Sequence, residues 1–324
     1  MQRRALLGAA LAAPMAAPPM LAHAQPAWPH DKPVEVIVPF PPGGGVDVMT
    51  RLIMPLVAER IPGMRVVVSN RPGAGSQIGL EAVFNAAADG YTLGATTIPA
   101  HGAIALERPV RFRPLEFTFL ANIVEDPNCL YVRAESPLRS VADLVAQARA
   151  RPGSLDYGTT GIGSDDHIMM LAFEAAARLP PLTHVPFPGV APLLPQLLGG
   201  HLATAVGNTT ELVTLSREGK LRGLAVASAQ RLPELPEVPS FRELGFDIVA
   251  GASRGIVGPP GLPASIAARL EAAFGAAMAD PGFQRETARQ HLPLRPLLGA
   301  DYKRMAAEVD AQLHELWQRR PWRG

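Results

Sequence analysis

One cysteine in 324 residues, Cys129, excludes an internal disulfide. Its neighbours Leu130 and Tyr131 are apolar, which suits a buried thiol better than a reactive one. Eight histidines fall at no metal-ligand spacing, so a metal centre is not expected. No apolar run is long enough to span a bilayer as a helix. Charge of one sign is also missing. There are 30 basic and 29 acidic residues and no basic block interleaved with aromatics, which argues against a nucleic-acid partner. Periods of 20–50 residues are absent, so a solenoid is excluded.

Three nucleotide-binding or catalytic signatures fail in detail. The glycine loop Gly43-Gly44-Gly45 is followed by Val46-Asp47, not by the Lys-Ser/Thr of a phosphate-binding loop. Gly73, Gly75 and Gly79 come nearest to a dinucleotide fingerprint but are spaced one residue too widely. Ser164 follows Gly161-Ile162-Gly163 and precedes Asp165, so it is not a nucleophile elbow.

The first 24 residues read as a secretory leader. Arg3-Arg4 starts it, Ala5 to Leu11 is its apolar run, and Ala22-His23-Ala24 is a cleavage site. The two arginines also leave twin-arginine export open beside the general route. Without them the chain carries 28 basic against 29 acidic residues, a formal net charge of −1. The remaining length exceeds a typical single domain, so two lobes are expected.

The patterning is strand, loop, helix, repeated. Val36-Ile37-Val38 reads as a buried strand, ended by Pro39 to Gly45, with an apolar helical pattern past Asp47. Arg65 to Val68, Tyr91 to Thr97, Leu155 to Gly158, Thr183 to Pro186, His201 to Val206 and Leu221 to Ser228 read as further strands. Phe117 to Val124 and Cys129 to Val132 read as two strands broken by Asp126-Pro127-Asn128. The alternation predicts an α/β fold with a largely parallel sheet. Three helices close the chain, and the tail from Arg319 is expected to fray.

Two loops stand at helix starts, where free backbone N–H groups and the helix dipole favour an anion. One is the Gly43–Gly45 loop. The other is Gly158 to Ser164, where Ser164 is a natural N-cap and Asp165-Asp166 suit the first turn. His167 can face either a cleft or the core. Thr96, Thr97, Asn208 and Ser253-Arg254 sit at strand ends, where ligands of α/β sheets bind. Arg254 is the candidate for bidentate pairing with a carboxylate, or else for a salt bridge at the surface or between lobes.

The motif Val38-Pro39-Phe40-Pro41-Pro42-Gly43-Gly44-Gly45-Val46-Asp47 resembles the start of Bug-type solute-binding proteins of tripartite tricarboxylate transporters. The likeness continues through Ser69-Asn70-Arg71-Pro72-Gly73-Ala74-Gly75, Ala88-Asp89-Gly90-Tyr91-Thr92-Leu93, Gly163-Ser164-x-x-His167, Gly219-Lys220-Leu221-Arg222 and Arg231-Leu232-Pro233-Glu234-Leu235-Pro236. It therefore runs in order over nearly the whole chain after the leader.

The resemblance implies a type 2 periplasmic-binding-protein fold, two α/β lobes with a ligand cleft between them. Lobe 1 would be residues 25–128 with a return over 250–324, and lobe 2 residues 129–249. It implies no catalysis and no cofactor. The implied ligand is a small carboxylate: a di- or tricarboxylate, an acidic amino acid or an aromatic carboxylate. Phe40, Gly44, Val46 and Asp47 would form one wall, and Thr159, Gly163, Ser164 and His167 the other. The implied setting is a periplasmic monomer that hands its ligand to integral-membrane transporter subunits. A sensor feeding a signalling receptor stays open, as does an exported hydrolase.

Three departures matter. Val46 stands where the family has Thr or Ser, so only its backbone N–H can serve. Asp165-Asp166 replace uncharged residues and would repel a carboxylate unless they point outward. Ser253-Arg254-Gly255 resembles the tricarboxylate-binding branch, which favours a ligand with more than one carboxylate.

Overall fold

A computed structural model describes residues 28–322; the expected leader, residues 1–24, lies outside the described residues. In chain order the first elements are β1 (Val34–Val38), α1 (Gly45–Glu59), β2 (Val66–Asn70), α2 (Gln77–Phe84), β3 (Thr92–Ile98) and α3 (Ala100–Glu107). The long strand β4 (Thr118–Arg133) follows. Then come α4 (Val141–Ala150), β5 (Asp156–Thr159), α5 (Asp165–Ala176), β6 (Thr183–Pro186), α6 (Val190–Leu198), β7 (Thr204–Asn208), α7 (Thr209–Arg217) and β8 (Leu221–Val226). The chain returns through β9 (Gly251–Gly258) and ends with α8 (Ala264–Met278), α9 (Pro281–Arg289), β10 (Leu294–Leu298) and α10 (Gly299–Arg319).

Strand alternation sets the layers. Val36 and Val38 point into a core with Met49 and Ile53 of α1 and Phe274 of α8. Ile37, between them, points to the other face, where Leu80 of α2, Phe119 of β4 and Tyr302 of α10 pack. The second half repeats the scheme. Leu130 and Val132 pack on Leu144, Met170 and Phe173, whereas Cys129 and Tyr131 pack on Leu193, Leu212 and Val238. Each fully buried Val, Leu, Ile or Phe contributes roughly 1.5–3 kcal/mol.

The sheet is mixed, not largely parallel. β1 is parallel to β2 and β3, and β5 is parallel to β6 and β7. The strands that join these groups, β9 and β4, are antiparallel to their neighbours. β4 is also one strand where the sequence suggested two. From Thr118 to Pro127 it pairs with β9; from Asn128 onward it pairs with β7 and β8. Pro127 has no N–H to give, and it sits at this change of partner, where a missing donor costs little.

Two elements escaped the sequence reading. α3 follows Pro99 and contains Gly102, both of which read as breakers. Gly102 is there for close packing on α10: a Cβ would stand 2.9 Å from Asp310 Oδ1. β10 contains Pro296 and pairs with β4 through an irregularity between Leu294 and Leu297. The tail does not fray at Trp322, which is 3% exposed. Trp322 packs with Ala103, Leu171 and Leu313, and Arg320 pairs with the buried Glu174 of α5.

Cys129 is fully buried, and burial first of all pushes its thiol up to about 12. An alkylating reagent at mildly alkaline pH should leave native protein unlabelled and label it once denatured. Rapid labelling of native protein would show that the β4 core opens far more readily than this packing allows.

Candidate functional site

The loop after β1 is held from below by Asp47. Gly43 lies at φ +84°, a conformation that favours glycine. Its N–H donates to Asp47 Oδ2 at 2.9 Å. Asp47 Oδ1 accepts from Arg51 Nε and Asn70 Nδ2, each at 2.9 Å, and Asn70 also donates to the Phe40 carbonyl at 3.1 Å. Burial works against the Asp47 charge, but these bonds hold the carboxyl below its ordinary value. Asp47 therefore shapes the loop and is itself saturated. Val46 turns its side chain into the α1 core and is 7% exposed. Among the described residues, nothing accepts from the N–H groups of Gly44, Gly45 or Val46. These donors open at the start of a 15-residue helix.

The second loop is built differently. Thr160 donates through N–H (3.0 Å) and Oγ1 (2.6 Å) to Asp166 Oδ2. The Gly161 N–H goes to Thr159 Oγ1 at 3.3 Å. The Gly163 N–H goes to His167 Nδ1 at 3.2 Å. Ser164 accepts from the His167 N–H at 3.2 Å, donates through Oγ to the Gly161 carbonyl at 2.8 Å, and gives its own N–H to that carbonyl at 3.3 Å. The loop thus satisfies these donors internally, whereas the N–H groups of Ile162 and Asp166 have no acceptor among the described residues. His167 is buried and stacks on His184 with centroids 3.9 Å apart. Burial, then His184 and Arg320, push its pKa down to about 3. Its ring is neutral, and it braces its own loop.

Between the two loops, where β4 pairs with β9, lies a buried polar network. Arg254 of β9 is 2% exposed. Its Nη2 donates to Asp126 Oδ2 at 2.9 Å and to Asn208 Oδ1 at 3.0 Å. Its Nη1 has no partner among the described residues. Asp126 in turn accepts from Thr209 Oγ1 (2.9 Å), the Thr210 N–H (3.2 Å) and Thr210 Oγ1, which satisfies the start of α7. The two aspartates of α5 point inward, not outward. Asp165 accepts from Asn128 and Asn208, each at 2.7 Å, and Asp166 accepts from Asn128 at 2.9 Å. Burial raises both pKa values, and Asp165 raises that of Asp166 further.

The sequence candidates thus separate into groups. Gly44, Val46, Asn208 and Arg254 gather near the starts of α1 and α7, with Thr97 opposite Arg254 in register. Thr159, Gly163, Ser164 and His167 form the closed second loop. Thr96 Oγ1 is spent on His101 Nδ1 at 2.6 Å, in the core beside Phe117. Phe40 is half-buried against α1. The bidentate fork expected of Arg254 is unavailable because Nη2 is occupied. The sequence reading missed Asp126 and Asn128, which it took for a break between two strands, and it placed Gly45 in the first anion loop without singling it out. A cavity of about 390 Å³ opens on the other face of β9 between α5 and α10, lined by Ser253 rather than Arg254. Its walls mix apolar residues with Glu125, Asp165, Asp247, Arg295 and Glu308 and include no residue of the Gly43–Gly45 loop.

Glu211 of α7 completes the network. Burial raises its pKa from 4.5 to about 7; Arg254 opposes that, and Asp126 and Asp165 add to it. Between those two values the folded state keeps a proton that the unfolded state has lost, so this group's contribution to stability falls as pH rises. His101, His167 and His184, pushed by burial to about 3, 3 and 4, act in the opposite sense in acid. Comparison with Glu211→Gln isolates the carboxyl. The variant should match wild type at about pH 4 and exceed it at about pH 8, read as a difference in urea midpoint. A difference that stays flat with pH would contradict the assignment.

Residues 51–320 match the family described as tripartite tricarboxylate transporter family receptor. Over 261 residues the chain is 34% identical to Protein BugT of Bordetella pertussis, covering 79% of this chain and 78% of that one. The solved structure of R. palustris Rpa4515 with adipate is 30% identical, with a TM-score of 0.79 over 90% of this chain and 96% of that one. MatC (Rpa3494) from Rhodopseudomonas palustris with bound malate is 28% identical, with a TM-score of 0.74 over 89% of this chain and 97% of that one. The chain therefore belongs to the tripartite tricarboxylate transporter receptor family, whose members are two-lobe periplasmic solute-binding proteins and not enzymes.

Proposed function

We propose that this protein captures a small carboxylate outside the cytoplasm and delivers it to the membrane subunits of a tripartite tricarboxylate-type transporter. The observation that carries this reading is the open start of α1. Three unpartnered backbone N–H groups at the positive end of a long helix form a seat for an anion. The missing lysine argues against phosphate. Malate and adipate, bound by two of the structural relatives, are dicarboxylates.

In this reading, lobe 1 comprises residues 25–128 and 250–324, and lobe 2 residues 129–249. The change of pairing partner along β4 near Asn128 supports that division. Phe40, Gly44 and Val46 line one wall, with Asp47 holding the loop. Thr159, Gly163, Ser164 and His167 form the facing wall, and Thr96, Thr97 and Asn208 lie toward the floor. The ligand bridges the walls and shifts the population toward the closed form, whose surface a transporter subunit recognises. The protein works as a periplasmic monomer, and among its described residues no helix is long and apolar enough to cross a membrane.

Malate, adipate and citrate should each be titrated while thermal stability is followed. At 100 times its dissociation constant a ligand adds about 2.7 kcal/mol, enough to raise the melting temperature by several degrees. At least one of these acids should do so at millimolar concentration, and its diamide or triamide should not. No shift from any of them would remove the carboxylate reading.

A further inference from the structure

A buried guanidinium with an idle arm calls for an explanation. Arg254 is 2% exposed, and Nη1 has no protein acceptor. Burying a charged donor without a partner costs several kcal/mol in the worst case, so such groups are retained where something else binds them. The arm's direction is fixed by Gly45. A Cβ on Gly45 would lie 2.4 Å from Nη1 and 2.6 Å from Cζ, so the first turn of α1 rests on the guanidinium. A positive charge at the positive end of a helix is unfavourable unless an anion joins them. Asp126 serves Nη2 and the start of α7, and it leaves the α1 side unserved.

We propose that Arg254 Nη1 and the N–H groups of Gly45 and Val46 together form a seat for one ionised carboxylate of the ligand, so that recognition of charge is concentrated on the α1 side of the cleft. This rests on the carboxylate-capture reading above and narrows it: the ligand is anchored by a direct ion pair. The α5 loop, with the N–H groups of Thr160, Gly161, Gly163 and Ser164 already satisfied, contacts the remainder of the molecule. The acids nearby do not oppose the anion. Asp165 and Asp166 are bonded to Asn128, Asn208 and Thr160, and burial moves Asp165, Asp166 and Glu211 toward their neutral forms. Gly45 is a specificity-determining residue on the same argument, because any side chain there would displace the arm. Asp126 and Asn208 are positioning residues that leave only Nη1 free.

Calorimetric titration of malate, adipate and their diamides into wild type, Arg254→Lys and Gly45→Ala tests this. Arg254→Lys keeps the charge beside Asp126 but removes the second nitrogen. Gly45→Ala leaves Arg254 in place and crowds Nη1. Wild type should prefer the diacid to the diamide, which has no carboxylate to anchor, by at least about 10- to 100-fold, the range for a charged hydrogen bond. Both variants should lose diacid affinity by a similar factor, and the preference should shrink accordingly. A purely structural role would weaken diacid and diamide alike and keep the preference, which overturns the proposal. Unchanged binding by Gly45→Ala also overturns it. Wild type that binds neither acid nor amide overturns the capture reading and this one together, whereas wild type that binds while the variants match it overturns only the anchor.

Discussion

The ion pair between Arg254 and Asp126 is the contact on which the rest depends. Both side chains are essentially excluded from water, and their nitrogen and oxygen lie 2.9 Å apart. Removing either partner would leave an uncompensated buried charge, at about 3–5 kcal/mol. Such a pair is weak as a source of stability but strong as a constraint. It fixes β9 to β4 where the chain passes from one half to the other. Through Thr209, Thr210 and Asn208 it also fixes the start of α7.

The asymmetry of the two glycine loops follows from how each is satisfied. In the first, Asp47 takes up one N–H, with Arg51 and Asn70 closing its remaining acceptor sites, and Gly44 to Val46 stay open. In the second, Asp166, His167, Thr159 and Ser164 absorb the N–H groups of Thr160, Gly161, Gly163 and His167, and those of Ile162 and Asp166 stay open. Both loops have the same sequence grammar of strand, glycines and helix start. The side chains that fold back decide how many donors each loop leaves free. The inward turn of Asp165 and Asp166 belongs to the same economy. They would repel a carboxylate if exposed, and are instead spent on the amides of Asn128 and Asn208.

Much of this was legible in the chain. The α/β alternation, the leading glycine loop, the Ser164 cap and the buried Cys129 follow from local composition and turn chemistry. What stayed hidden depended on tertiary pairing. Asp126-Pro127-Asn128 reads as a break between two strands because Pro127 interrupts the pattern, yet the strand continues because its hydrogen-bond partner changes there. Gly102 reads as a helix breaker, but it is the small residue that lets α3 approach α10. Trp322 reads as a frayed end, but it finds an apolar seat on α3, α5 and α10 that no local rule announces. Arg254 reads as a carboxylate partner from an expected place at a strand end, but it lies inside β9 (Gly251–Gly258), paired with Val124 of β4. That one arm is occupied and the other free required the positions of Asp126, Asn208 and Gly45 together.

The most direct measurement is a crystal structure of the protein with malate or adipate bound. A ligand carboxylate oxygen should lie within about 3.2 Å of both Arg254 Nη1 and the Gly45 N–H, with the Arg254 to Asp126 pair intact. A ligand whose carboxylates contact only the α5 loop, with Nη1 still unpaired, would contradict the account.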